Sequence, residues 1–138
     1  MRYLIDSNIV LFLLSDKEML SMETAHIIEN YGNRIYVSSE SINEIIYLLQ
    51  RGKIIDKRLK TPENIIDIVI NDLNFEIKYV KEEHLRTLAK LPFFDDHKDP
   101  CDRTIIAQAI TEKIPVVSSD RKFDYYKKYG LDFIFNKR

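Results

Sequence analysis

Apolar residues recur along this chain in short blocks separated by polar and turn-forming residues, and blocks of strand length alternate with blocks of helix length. Arg2 to Ile5 reads as a short strand. Ser7 or Asn8 then opens a short helix through the run Ile9–Leu14, which has no polar face and so belongs in an interior. Ser21 caps a helix predicted to about Tyr31, with Gly32 where a left-handed residue closes a helix. Ile35 to Val37 reads as a second strand. Ser39 to Gln50 is a second strongly apolar helix, carrying Ile42, Ile45, Ile46, Tyr47, Leu48 and Leu49, and Gly52 ends it. Thr61-Pro62-Glu63 supplies a cap, a first-turn proline and an acid near the positive end of a helix predicted to about Asn71. Phe75 to Val80 alternates as a strand, Lys81 to Lys90 is helical, and Leu91 to Asp99 is a polar, acidic loop. Asp99-Pro100 opens a helix reaching Lys113. Val116 to Ser118 is a strand, Arg121 to Tyr129 a final helix closed by Gly130, and Phe133 to Phe135 the last strand.

Strands alternating with helices at this spacing predict βαβ units, hence an α/β fold with a parallel sheet covered on both faces. Such folds bind ligands outside the C-terminal ends of their strands. The 138 residues, 45% hydrophobic and 31% charged, suit a single domain over residues 1–138, and no linker or internal repeat interrupts them. The longest unbroken apolar run, Ile9–Leu14, is far short of a membrane span, and no cleavage site of a secretory signal follows it. Cys101 is the only cysteine, so an internal disulfide is excluded, a zinc site is not supported and a reducing cytoplasm is the expected location. With 21 basic against 22 acidic residues the net charge is -1, which excludes holding nucleic acid by bulk charge and demands a local attraction.

The candidate chemistry is carboxylate chemistry. Asp6 follows the first strand directly and Asp120 follows Val116-Val117-Ser118-Ser119 in the same way, so both fall at the C-terminal end of the sheet, where each also suits a helix cap. Asp102, Ile105, Ile106 and Ala109 share one inward stripe, which puts a carboxylate at the head of a buried face, although Asp99 as cap and Asp102 in the first turn also serve the helix's positive end. Glu44 lies on the apolar second helix beside Tyr47 and Leu48. The wheel does not decide between Glu44 and Glu40, one turn earlier. Acids clustered at one end of a sheet repel one another unless a cation neutralises them, and a hard divalent ion, Mg²⁺ or Mn²⁺, suits oxygen ligands. Such a centre performs phosphodiester hydrolysis without a nucleophilic side chain.

Tyr3-Leu4-Ile5-Asp6-Ser7-Asn8, Val37-Ser38-Ser39-Glu40-Ser41-Ile42-Asn43-Glu44, Asp99-Pro100-Cys101-Asp102-Arg103-Thr104-Ile105-Ile106-Ala107-Gln108-Ala109 and Val117-Ser118-Ser119-Asp120-Arg121-Lys122-Phe123 stand in the order of four motifs. Over nearly its whole length the chain resembles the PIN-domain nucleases, most closely the VapC toxins of type II toxin-antitoxin pairs. The resemblance implies a three-layer α/β/α sandwich, with a parallel sheet of four to five short strands flanked by about seven helices. It implies that Asp6, Glu44, Asp102 and Asp120 hold one or two Mg²⁺ or Mn²⁺ ions, with Asn8, Asp99 and Ser118 in support, and it selects Glu44 over Glu40. It further implies a metal-dependent endoribonuclease with RNA as substrate, a cognate antitoxin as partner and a homodimer. Cys101 departs from the phenylalanine usual in relatives.

Arg121, beside Asp120, is the cation best placed to position a phosphate. His26, His84 and His97 are isolated in the sequence and read as surface or packed residues, and Cys101 reads as a small buried thiol. Two other classes compete: a receiver-like phosphoacceptor domain, for which Asp120 and Lys137 are poorly placed, and a non-catalytic binding module on the same fold, against which all four acids speak.

Overall fold

In the computed structural model, which describes residues 1–137, five strands form one wholly parallel sheet in the order β3-β2-β1-β4-β5. They are β1 (Arg2–Ile5), β2 (Arg34–Ser38), β3 (Glu76–Lys78), β4 (Val116–Ser118) and β5 (Phe133–Phe135). The helices are α1 (Ser7–Ser15), α2 (Met22–Glu29), α3 (Ser39–Gln50), α4 (Asn64–Asp67), α5 (Glu82–Lys90), α6 (Pro100–Glu112) and α7 (Arg121–Tyr129), the last wound in the tighter 3₁₀ form. A 3₁₀ turn, Lys17–Met19, follows α1, and α4 runs on as a π-turn over Ile68–Asp72. No helix among the described residues is long and apolar enough to cross a membrane.

The period-2 geometry of the central strands divides the core into two layers. Tyr3 and Ile5 of β1, with Val117 of β4, face a cluster with Ile9, Val10 and Leu13 of α1, Ile42 and Ile45 of α3, and Ile65, Ile68 and Val69. Leu4 and Val116 face the other side, against Ile105, Ile106 and Ala109 of α6 and Phe123 and Tyr126 of α7. This is an α/β/α sandwich whose middle strand, β1, is covered on both faces. Ile5 is fully buried, so Ile5→Ala is expected to destabilise the protein by about 3 kcal/mol, measured as a lower denaturant midpoint with an unchanged slope.

The strand order bears on function. The chain runs outward from β1 to β2 and β3, then returns to the other side of β1 for β4 and β5, so the direction of winding reverses between β1 and β4. In open parallel sheets such a reversal, outside the C-terminal ends of the two strands, is where ligands bind. A receiver-like domain has the order 2-1-3-4-5 instead, and that alternative falls with the topology.

The sequence-based elements hold at β1, β4, β5 and α3 to the residue, and they shift where another hydrogen bond, from a side chain or from the backbone, takes over a group at the element's end. The helix after Ser21 ends at Glu29, and Gly32 is not left-handed: the Asn33 side chain donates to Ile27 O at 3.0 Å, while Asn30 Oδ1 accepts from the Gly32 N–H at 2.8 Å. Residues 61–63 form a turn closed by i→i+3 bonds, Asn64 N–H to Thr61 O and Ile66 N–H to Glu63 O, so the α-helix begins at Asn64 rather than Pro62. The strand predicted over Phe75 to Val80 shortens to Glu76–Lys78, because the Phe75 N–H is held by Val69 O and the Val80 N–H by Ser39 Oγ. Gly52 and Gly130 have φ of 70° and 102°, the left-handed closures expected of them.

Candidate metal centre

Asp6, Asp99 and Asp120 each cap a helix, so the capping reading of these acids is correct, and the caps put them in one place. Asp6 leaves β1 with its N–H donating to Val117 O at 3.0 Å. Its Oδ1 accepts from the Ser7 N–H at 2.5 Å and its Oδ2 from the Ser118 hydroxyl at 2.6 Å. The same Ser118 oxygen accepts the Asp120 N–H at 3.0 Å, so one serine at the end of β4 ties together the acids that follow the two central strands. Asp6 is only 2% exposed. Burial pushes its carboxyl up from 3.8 to about 6, against the pull of the Ser118 and Ser7 bonds and with a further push from Glu44 and Asp120.

Asp102 enters from the first turn of α6. Its carboxyl is pushed up from 3.8 to about 8, first by burial and then by the charges of Asp6, Asp99, Asp120 and Glu44. Glu44 of α3 is half-buried and also raised, by burial and by Asp99, with Ser7 pulling the other way. It is Glu44, rather than Glu40, whose charge bears on Asp6 and Asp102. Asp6 and Asp120, joined through Ser118, and Asp102, close to Asp120, thus come together at the β1/β4 reversal, and Glu44 acts on Asp6 and Asp102 through its charge.

His97 joins them, and the sequence alone does not reveal it. It lies in the loop before α6, 3% exposed, with Nε2 facing Asp102 Oδ2 at 3.4 Å and Asp120 Oδ2 at 3.6 Å. It is packed, as expected of the three histidines, but it is not isolated. Burial lowers its pKa in spite of Asp120 and Asp99, which favours the neutral imidazole. The only signal in the sequence is its position five residues ahead of Asp102. The other two fare as read: His26 is exposed, and His84 is buried with Nε2 on Glu112 Oε2 at 2.9 Å and Nδ1 accepting from the Lys81 N–H.

The remaining expected residues are placed less centrally. Asp99 is exposed, with Oδ1 accepting from the Cys101 N–H at 2.8 Å, and acts on Asp102 and Glu44 through its charge. Asn8 is exposed on α1, and its side chain makes no hydrogen bond among the described residues. Arg121 is exposed and lies over the Phe135 ring at 4.2 Å, turned toward β5 rather than onto the acids. Cys101 is half-buried, and burial with Glu44 beyond it pushes its thiol up, so it is an unreactive packing residue. A cavity of about 460 Å³ is lined by Phe94, Asp96, Asp124 and Tyr125, and none of the four acids lines it.

The donor set fits a divalent cation. Ligand atoms of His97, Asp102 and Asp120 all lie within 4.8 Å of one another, and Nε2 of His97 is buried with no hydrogen-bond partner. An acid raised to about 8 by its like-charged neighbours is a group that a cation would relieve.

Fold and site together define an α/β domain with an acidic centre at its winding reversal, and comparison gives it a family. The family model for the PIN domain matches residues 3–129, and the chain belongs to the PIN domain family. Solved structures with the same fold include VapBC2 from Rickettsia felis bound to a DNA fragment from their promoter, at TM-score 0.70 and 16% identity over 99% of this chain and 100% of that one. VapBC-5 from Mycobacterium tuberculosis, a member of the VapBC family of toxin-antitoxin systems, matches at TM-score 0.62 and 11% identity over 99% and 98% of the two chains. FitAcB from Neisseria gonorrhoeae matches at 0.60 and 16% over 97% and 96%. Comparison with curated protein sequences gives no match.

Proposed function

We propose that this chain is the toxin of a VapBC-like type II toxin-antitoxin pair, a divalent-metal-dependent endoribonuclease that hydrolyses RNA phosphodiester bonds in the cytoplasm. The observation that carries this reading is the convergence of Asp6, Glu44, Asp102 and Asp120 at the β1/β4 reversal of a PIN fold. These four acids would hold one or two Mg²⁺ or Mn²⁺ ions. The chemistry such an ion would supply there is a lowered pKa for an attacking water and an offset to the charge that develops on the leaving oxygen.

The side chains around them have separate tasks. Ser118 and the Ser7 N–H fix the Asp6 carboxylate in one orientation. Asp102, its carboxyl pushed up to about 8, would give up a proton in order to hold a cation, so cation uptake would release protons. Glu44 and Asp99 add negative charge that favours a cation over a neutral ligand. Arg121, exposed next to Asp120 and stacked on Phe135, offers a guanidinium to a phosphate on the strand being cut.

A partner is supported by unpartnered apolar surface. A groove of about 250 Å³ between α3, α4 and β3 is lined by Ile42, Ile46, Ile66, Ile77 and Tyr79, with Tyr47 and Ile70 also exposed. We assign this surface to a homodimer contact and to a segment of the antitoxin, in keeping with the VapBC assemblies that share the fold. Induced expression in a bacterial host is expected to arrest growth with the wild-type chain and not with Asp102→Asn at matched protein level. Equal arrest by the variant, or normal growth with the wild type, would remove the toxin reading.

A further inference from the structure

We propose that His97 Nε2 is a metal ligand alongside Asp102 and Asp120, and that this mixed nitrogen-oxygen position selects a first-row transition ion over Mg²⁺. The inference rests on the reading of the acidic cluster as a metal centre and deepens it by naming a further ligand and the class of ion.

The spacing is that of atoms sharing an ion rather than bonding to each other. At 3.4 Å and 3.6 Å from the two carboxylate oxygens, Nε2 makes no hydrogen bond, and it is a buried polar atom left without a partner. Neighbouring ligands around an octahedral ion with bonds near 2.1 Å stand about 3 Å apart and opposite ones about 4 Å apart, and the three atoms here lie within 4.8 Å of one another.

The ring is also fixed from behind, as a ligating imidazole is. Nδ1 lies 2.8 Å from the Tyr126 hydroxyl, and that oxygen accepts from Arg103 Nη1 at 3.3 Å, while the same Nη1 donates to Pro92 O at 2.9 Å. Phe123 and Tyr126 pack edge-on against the ring, at centroid distances of 5.8 Å and 5.4 Å. With the Nδ1 proton on Tyr126, the Nε2 lone pair points between the carboxylates, and the outer partner sets both tautomer and orientation. Imidazole nitrogen is accepted more readily by first-row transition ions, least by Mn²⁺ among them, than by Mg²⁺, which prefers oxygen and keeps its water.

Mn²⁺ serves as the probe, in pulsed electron paramagnetic resonance and in calorimetric titration beside Mg²⁺. The wild-type chain is expected to show ¹⁴N coupling to bound Mn²⁺. His97→Asn retains an amide near the Nδ1 position for Tyr126 but has no Nε2, and it is expected to lose the coupling. It should also lose affinity for Mn²⁺ about tenfold, with Mg²⁺ affinity changed far less. Mn²⁺ bound to the wild type without nitrogen coupling, or a variant weakened equally for both ions, would overturn the assignment and leave the acidic metal centre standing. Binding of neither ion by the wild type would overturn both. Where the variant does not fold, absence of nitrogen coupling in the wild-type spectrum still overturns the assignment, and retention of the coupling in His84→Asn excludes the other histidine-containing acidic group, Glu83, His84 and Glu112.

Discussion

Asp102→Asn is expected to abolish RNA cleavage, by a factor of about 10³ or more, and to make the ion-free protein more stable. Both effects come from one placement. Asp102 heads the inward stripe of α6, above Ile105 and Ile106, and faces Asp6, Asp99, Asp120 and Glu44. An amide of the same shape removes a charge that a cation held by the proposed centre would need. It also removes the cost of ionising a carboxyl that the fold holds at about 8. In ion-free buffer near pH 8 the unfolding midpoint of Asp102→Asn should therefore rise by about 10 °C, as measured by calorimetry. A variant that loses both activity and stability would mean that Asp102 is a structural acid rather than a functional one.

The second large effect is the pH dependence of the ion-free chain. Asp6 and Asp102 titrate at about 6 and about 8 in the folded protein, against an ordinary value of 3.8. Between those limits the folded state binds more protons than the unfolded state, so stability falls as pH rises. The stabilising contribution is complete below about pH 4, shrinks through pH 6 and is gone once Asp102 has ionised above about pH 8. On the proposed metal centre, a divalent ion would substitute for the lost protons. Thermal unfolding from pH 5 to 9 should show a falling midpoint without added ion, and with Mg²⁺ or Mn²⁺ at about a hundred times its Kd the loss should be offset by nearly 3 kcal/mol at the alkaline end. A midpoint that stays flat with pH, or an ion effect equal at pH 5 and pH 9, would contradict the clustering of these acids.

Legibility in the sequence follows the range of the interactions. The strands β1, β4 and β5 are short apolar blocks next to capping acids, and α3 lies between Ser38 and Gly52, so local chemistry marks their ends. Gly32 misleads because the Asn33 side chain satisfies a carbonyl that a glycine cap would otherwise leave to the backbone, and Pro62 because the turn after Thr61 is closed by i→i+3 bonds before the α-helix begins. In the site, Asp6 and Asp120 are legible as acids that follow strands, and Asp102 as the head of a buried stripe. Glu44 separates from Glu40 only by resemblance, since both lie on the same helix and the deciding neighbours, Asp6 and Asp102, come from distant stretches. His97 is not legible at all. Its burial depends on Tyr126 and Phe123, which α7 delivers from nearly thirty residues further along. Arg121 is legible as a neighbour of Asp120, but the winding of α7 turns it onto Phe135.

Incubating the purified chain, free of any bound antitoxin, with total RNA in Mg²⁺ or Mn²⁺ tests most directly whether the four acids form a metal-dependent nuclease, with EDTA and Asp102→Asn as parallel controls. Discrete fragments that vanish in both controls are the predicted result. Fragments that persist in EDTA, or that Asp102→Asn produces as efficiently as the wild type, would contradict it.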